Sequence, residues 1–575
     1  MFLLTGNAGS GKSTIANTVS HHFDKEDETL DDEVPNILQA TYCCSRQFDD
    51  TRRQKYIIPT LVYQLARRSK SYGRALLDAD KFDSVKIPSR QLQDLFVGPW
   101  QKSAGDRPDD LPPYLIVIDA LDEVDDGGGF DFLQALLKTI QKGHLKGLKF
   151  FVTSREDDKV ASLCDQFSSD VVCRLHKVAE EDVGADILRF LDAELPLLDK
   201  GERAELGRRA GGLFIYAATA VRYMTPQAGL TREEQLNLMG SLLSNSWDPS
   251  DGAEEPLQVD VLYRQILSEA FGKLKNKLRL ARLRILYTLL CTEERVSTAV
   301  AAGLISDSSH MVGRANQVVS DLHAVLYVND GKVFWYHASF PDFIFTQARS
   351  RFTMPITHSN TFIQVDMSCD LAYHHALLTH SCFRIMMSGL CFNICNLPSS
   401  FLLDSEVPNL QVEVKDKICD SLRYACQYWA EHMVKATPSE QKALQARIVK
   451  FLHTCVLFWI EAMNLLHMSS QCARILLKVR DCILKVRKQY LSYTLIINIK
   501  KNSTITVVQT LYRTFLRQLT LLNTSLQVQQ HSQPPTYIYQ HWQHGQRIAL
   551  YLKHGKSIFL LFHLLLMSGA IWQHH

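Results

Sequence analysis

Apolar positions fall into two regimes along the chain. Up to about residue 176, short apolar runs alternate with amphipathic stretches. Phe2-Leu3-Leu4, residues 38–44 (LQATYCC), 114–119 (YLIVID), 149–155 (KFFVTSR) and 171–175 (VVCRL) read as strands. Runs apolar at successive positions mark strands buried on both faces, as in a parallel sheet. Residues 14–19, 57–68 and 89–100 carry helical spacing. Strands alternating with helices predict an α/β domain, a parallel sheet with helices on both faces. Two polar loops, 24–34 and 104–113, interrupt it.

Beyond about residue 177 the pattern turns helical. Residues 181–195 have helical spacing, and 208–224 hold an apolar helix behind Gly211 and Gly212. Residues 244–256 are polar and read as a linker. From 260 to about 350, helices precede two apolar arms, 324–328 and 333–336, joined at Asn329-Asp330-Gly331. Asp-Gly between apolar arms is a strong hairpin signal, and helices followed by a hairpin predict a winged helix. Residues 366–490 are helical again. The expected division is 1–176, 177–245, 260–350, 366–490 and a tail, 491–575.

The first strand runs into Gly6-Asn7-Ala8-Gly9-Ser10-Gly11-Lys12-Ser13, followed by Thr14. This fits G-x-x-x-x-G-K-[ST], the phosphate-binding P-loop. Gly9 and Gly11 permit backbone conformations that a side chain would block, so successive N–H groups can face a phosphate. Lys12 brings a positive charge to the outer phosphates, and Ser13 offers a hydroxyl to Mg²⁺ at the start of a helix. The third strand ends in Asp119, placed to hold Mg²⁺ at the carboxyl edge of the sheet. Asp122 and Glu123 follow within reach of a γ-phosphate, where one could orient or activate water. Arg155, at the end of the fourth strand, could sense that phosphate.

Composition adds little to the first 481 residues and much to the rest. The 575 residues carry a net charge of +2, which gives no global signal for nucleic acid or membrane. No Asp or Glu follows Asp481, while ten Lys or Arg do, so the first part carries −8 and the remainder +10. Fourteen cysteines show no framework spacing, which points to free thiols and a reducing, cytoplasmic location. Cys391-x-x-x-Cys395 and the group Cys369, His374, His375, His380, Cys382 resemble metal spacing loosely, and buried thiols and helix-face histidines explain them more simply. Residues 557–572 are apolar but short for a membrane span and contain His563.

The stretches GNAGSGKST, YCCSRQFDDTRRQKYIIPTLVYQLA, LIVIDALDE, FFVTSR, AGGLFIYAATAVRYM, LHAVLYVNDGKVFWYHASFPDF and CFNICNLPSSFLLDSEVP together resemble a known family. Over residues 1 to about 480 the chain looks like a fungal NACHT protein of the NOD-like receptor type. These belong to the signal-transduction ATPases with numerous domains, STAND, and the nucleotide region is also described as nephrocystin-like N-terminal. The resemblance implies a P-loop NTPase binding ATP or ADP with Mg²⁺ and hydrolysing slowly. Lys12 and Ser13 match the Walker A lysine and Mg²⁺ ligand, Asp119 the Walker B aspartate, Asp122 and Glu123 the acidic pair after it, and Arg155 the first sensor. His337, in YHASF, matches the winged-helix histidine that contacts the β-phosphate of ADP. Gly211 and Gly212 match the segment near the adenine, with Phe214 where some relatives have proline. A switch that self-assembles through its nucleotide domain is implied.

The chain departs from that family in showing no effector region before the loop and no WD40, ankyrin or TPR repeats. The acid-free tail from about 490 is expected to be disordered or mistranslated, or else a basic tail for nucleic acid or acidic lipid. Other readings are a nucleotide-binding fragment without signalling output, a winged-helix nucleic-acid-binding regulator, and a small-molecule kinase. The last would need an arginine-rich lid, which the sequence does not show.

Overall fold

The computed structural model describes residues 1–24, 37–86, 88–106, 113–165, 171–178, 180–226, 229–244, 258–306, 308, 310–355, 362–398 and 406–497. Of the tail assigned to 491–575, everything after Ile497 lies outside the described residues, as does the apolar run 557–572. The chain forms two compact units. One comprises Met1–Thr298 with Gly313–Cys369, and the other Ala299–Val312 with the chain from Asp370 onward.

The first unit is built on five parallel strands: β1 (Phe2–Thr5), β2 (Leu38–Cys43), β3 (Tyr114–Asp119), β4 (Leu148–Ser154) and β5 (Val172–Arg174). Their order is β2-β3-β4-β1-β5. Although only four residues long, β1 is paired on both sides. It runs from Phe2↔Phe151 to Thr5↔Ser154 against β4, and from Leu3↔Val172 to Thr5↔Arg174 against β5. The phosphate loop therefore leaves a fully flanked strand. A parallel five-stranded sheet carrying this loop is a P-loop NTPase fold.

The continuous apolar runs resolve into two faces. Leu3, Ile116, Ile118, Phe150 and Val152 join a large core with Ile58, Leu61, Phe132 and Leu136. Their neighbours Leu4, Val117 and Phe151 point the other way, onto Ala16. Helices Ile57–Arg68 and Gly128–Gln141 thus cover one face and helix Lys12–Phe23 the other. Fully burying each such side chain contributes about 1.5–3 kcal/mol. The β2 edge is closed by side chains: Gln64 accepts from Thr41 N–H at 2.9 Å and donates to its carbonyl at 2.9 Å. This blunts an edge that would otherwise pair with another strand.

The predicted helix at 89–100 is observed as a continuous helical stretch whose middle, Leu92–Val97, is π-wound and buries Leu95, Phe96 and Val97. Helix Lys200–Ala210 starts with a capping box, Asp199 and Glu202, and stops at Gly211, where φ is 52°. After Gly212 (φ 74°), helix Phe214–Met224 begins. The glycine pair is therefore the corner between two helices.

The hairpin consists of β6 (Leu326–Asn329) and β7 (Lys332–Trp335). Asn329 pairs with Lys332, so the turn is two residues, Asp330 and Gly331, with φ of 47° and 72°. Positive φ at both positions suits the right-handed twist of the arms. Helix Ser339–Phe345 follows. A second antiparallel pair, β8 (Arg351–Pro355) and β9 (Phe362–Asp366), has no counterpart in the sequence reading.

The second unit is helical around Phe383, Trp429, Phe451 and Trp459, whose rings lie 5.2–6.3 Å apart. Trp459 Nε1 donates to the Cys426 carbonyl at 2.9 Å, which satisfies its one donor in the core. His374 and His375 are buried on helix Leu371–Gly389. All fourteen cysteines are free. Among the described residues no single helix is long and apolar enough to cross a membrane.

Candidate nucleotide site

The loop after β1 has the backbone that phosphate binding needs. Gly9 and Gly11 have φ of 80° and 91°. Gly6 is buried, Ala8, Gly9 and Ser10 are half-buried, and Ser13 and Thr14 are exposed at the start of the helix. Gly11 caps that helix, and Ile15 N–H donates to its carbonyl at 3.0 Å. No acidic residue lies in the first turn, so the positive end of the helix is uncompensated and suits an anion. Lys12 Nζ donates to the carbonyls of Gly6 (2.8 Å) and Asn7 (2.7 Å). The ammonium is thereby held over the loop. Burial lowers its pKa, as does Arg155, while Asp122, Asp119 and Glu123 oppose the shift.

The acidic side of the site comes from the end of β3. Asp119 is buried and accepts from Thr153 Oγ1 at 2.5 Å, and Thr153 Oγ1 in turn accepts from Ala120 N–H at 2.8 Å. Ala120 has φ of 53°, which turns the chain sharply after the strand. Both Asp122 oxygens are engaged by Arg155: Oδ1 accepts from its N–H at 2.9 Å, and Oδ2 pairs with Nε at 3.0 Å. Glu123 accepts from Arg46 N–H at 3.0 Å. Burial pushes the Glu123 carboxyl above its usual range, and the Asp122 charge adds to this against the Arg46 bond. The buried Asp119 carboxylate and the exposed Ser13 hydroxyl on the loop are hard-oxygen donors, of the kind Mg²⁺ takes.

His337 closes the cluster from β7's exit. Its Nδ1 accepts from Ser339 N–H at 3.1 Å and lies 2.7 Å from Ser339 Oγ. That bond assigns the imidazole proton to Nε2. Burial holds its pKa down at about 4, with Arg155, Lys12 and Arg222 adding to the depression and Asp342 resisting it. Lys12 and His337, more than three hundred positions apart, thus share one electrostatic environment.

Several residues that complete this site carry no sequence expectation. Asp342 pairs with Arg155 NH1 at 2.6 Å and Arg46 NH1 at 3.3 Å. The Gln47 side chain bonds both backbone groups of Trp335, each at 3.1 Å. Ile215 N–H donates to the Gly9 carbonyl at 3.2 Å, and its side chain fills the space where a Gly9 Cβ would stand. Phe214, which the sequence did single out, would only be in ordinary contact with a Cβ at Gly11, at 3.6 Å. Arg46 and Asp342 both fall in stretches that carry the family resemblance, but nothing in one sequence pairs residues 296 positions apart.

Comparison with known proteins bears on this region. Residues 1–155 match the family described as nephrocystin 3, N-terminal. The match ends at Arg155, so it spans the loop, Asp119, the acidic pair and the strand-end arginine. No curated protein sequence matches the chain. Among solved structures, a STAND protein with a tetratricopeptide repeat sensor from Pyrococcus horikoshii is similar at 12% identity and TM-score 0.33, over 84% of this chain and 63% of its own. The chain thus spans less than two thirds of that protein's length. A Walker-type ATPase of Pyrococcus abyssi is similar at 12% identity and TM-score 0.28, over 59% of this chain and 89% of its own. Drosophila ORC bound to DNA is similar at 13% identity and TM-score 0.23, over 66% and 89%. None of these scores reaches 0.5, so the fold rests on the sheet order and the loop described above.

Proposed function

We propose that this chain is a nucleotide-dependent switch of the NACHT/STAND type, binding ATP or ADP with Mg²⁺ and hydrolysing slowly, in NOD-like receptor signalling. The observation that carries this reading is that the segment around His337 is bonded to the nucleotide region on both sides, Trp335 to Gln47 and Asp342 to Arg155, with Arg155 and Lys12 both lowering the His337 pKa. A metabolic P-loop enzyme has no need to bind its own distant hairpin to its phosphate site.

In this reading the loop from Gly6 to Thr14 holds the phosphates, Lys12 turns its ammonium from loop carbonyls to phosphate oxygens, and Ser13 and Asp119 hold Mg²⁺. The bound metal supplies charge neutralisation. Because Asp122 is engaged by Arg155, orienting water falls to Glu123, whose raised pKa favours a proton-accepting role. His337 Nε2–H is the donor offered to a β-phosphate oxygen. Residues 177–245 serve as the small helical domain, 260–350 as a winged helix and 366–490 as a further helical domain. The winged-helix arms bury Leu326, Phe334 and Trp335, which favours packing within the switch over reading a DNA groove. Self-assembly through the nucleotide domain is the output, in the cytoplasm.

The test is nucleotide content. Full-length protein is purified and denatured, and the released nucleotide is identified, with Lys12→Ala as control. ADP from the wild type and none from the variant is the expected result. A folded wild type that carries no nucleotide and takes up neither added ADP nor ATP overturns the reading.

A further inference from the structure

We propose that Asp342 is the specificity residue that sets this site against a third phosphate, so that the arrangement seen here accepts a nucleoside diphosphate and excludes the triphosphate. The inference rests on the switch reading above and adds the group that distinguishes the two nucleotides.

The geometry begins with Arg155. Its guanidinium lies between two carboxylates: Nε on Asp122 at 3.0 Å and NH1 on Asp342 at 2.6 Å. The two differ in origin. Asp122 lies in the turn after β3, next to the strand that Arg155 follows, and accepts the Arg155 backbone N–H as well. Asp342 comes from helix Ser339–Phe345, beyond the hairpin, 187 positions away in sequence. Arg46, from the loop after β2, supports its other oxygen. Arg155 is the cation at the end of β4, where a γ-phosphate would seek a partner. Here that partner is a carboxylate delivered by another segment.

Charge balance gives the same answer. With Mg²⁺ on Ser13 and Asp119 offsetting charge at the loop, the groups facing a third phosphate are Arg155 and Arg46 against Asp122, Glu123 and Asp342. Lys12 can exchange its bonds to the Gly6 and Asn7 carbonyls for phosphate oxygens without touching Asp342. Two phosphates can therefore be met by the loop and Lys12. A third brings further negative charge toward a guanidinium already neutralised, next to the Asp342 carboxylate, in a site partly withdrawn from water. Like charges sharing one cation there repel strongly. Either the triphosphate binds weakly or Asp342 leaves, and with it the helix that carries it.

The experiment measures Kd for ADP and for a non-hydrolysable ATP analogue on full-length wild type, Asp342→Asn and Asp342→Glu. Wild type is expected to prefer ADP. In Asp342→Asn the preference falls at least tenfold, about 1.4 kcal/mol, chiefly through tighter analogue binding. Asp342→Glu, which keeps the charge, keeps the preference. A merely structural role would move both affinities together, and that outcome overturns the proposal, as does an unchanged ratio in Asp342→Asn. A measurement on the wild type alone guards against a variant that does not fold. Amide exchange across residues 339–346 is expected to quicken with the analogue and not with ADP, and equal protection with both overturns the proposal. A wild type that binds neither nucleotide removes the switch reading together with this inference. One that binds both with the Asp342→Asn ratio unmoved removes this inference alone.

Discussion

Gly9→Ala tests the reading of the phosphate loop most directly, because two separate costs can be worked out. Gly9 has φ of +80°, a conformation that costs an L-residue about 1–2 kcal/mol. An added Cβ would also stand 2.0 Å from Ile215 Cγ2 and 2.6 Å from Ile215 Cβ. Overpacking of this kind costs about 1–3 kcal/mol, and a shift of Ile215 endangers its N–H bond to the Gly9 carbonyl. The sum is about 2–5 kcal/mol, a large part of a domain's stability. Gly127→Ala isolates the first cost, since φ is +73° there with nothing within 4 Å of the new atom. Native-state hydrogen exchange at Leu3, Leu4 and Thr5 reads the stability of β1 itself and avoids assuming that a chain of two units unfolds in one step. Gly9→Ala is expected to exceed Gly127→Ala by about 1–3 kcal/mol. Ile215→Gly, which removes both clashing atoms, is expected to recover that difference in the double variant. If Gly9→Ala costs no more than Gly127→Ala, or if the Gly9 and Ile215 effects add within about 0.5 kcal/mol, then Ile215 does not bear on the loop.

Three further outcomes follow from charge. His337, held down at about 4 chiefly by burial and then by Arg155 and Lys12, is neutral in the folded protein at pH 7. An unfolded histidine titrates near 6.5, so the unfolded state takes up the proton first. Its contribution is present above pH 6.5 and lost as pH falls toward 4; the exchange protection of helix Ser339–Phe345 is expected to lose that pH dependence in His337→Gln. Bound phosphate would raise the same pKa, so ADP affinity is expected to increase as pH falls through that window, and a pH-independent Kd would count against the contact. Asp260 is 2% exposed and held bidentate by Arg349 at 2.6 and 2.9 Å. Asp260→Ala leaves that guanidinium without its partner, and a loss of about 3 kcal/mol is expected in the exchange protection of helix Gln258–Phe271.

The sheet could be read from sequence because its signal is local. Each strand is an apolar run whose burial on both faces needs no alternation, and each site residue on it sits at the end of its run: Gly6 after β1, Asp119 on β3, Arg155 after β4. Two features were less legible. The corner at Gly211 and Gly212 could be located, yet its consequence, Ile215 over Gly9, depends on where the following helix docks. Asp342 carries no expectation from sequence because its partners lie 187 and 296 positions away. The strand pair β8 and β9 went unread because its arms, RFTMP and FIQVD, carry no turn chemistry between them of the kind that announced the hairpin at Asp330-Gly331.

Taken as one arrangement, these contacts divide the labour between affinity and choice. Ile215 bonds to the loop, and in the proposed reading His337 meets the β-phosphate, which ADP and ATP share. Asp342 bears on Arg155, which that reading sets against the third phosphate, where the two differ. A ligand shifts a conformational equilibrium only by its differential affinity for the two states. A histidine contact common to both nucleotides can therefore hold this arrangement together, but it cannot by itself tell one nucleotide from the other. The discriminating group must touch the place where the third phosphate goes, and in the proposed reading that is the Asp342–Arg155 pair. On the proposed reading, reciprocity means that whatever strengthens that pair also favours ADP, and whatever draws helix Ser339–Phe345 away favours ATP. The helix that carries Asp342 starts two residues after His337, so losing the pair and losing the histidine contact would be one motion.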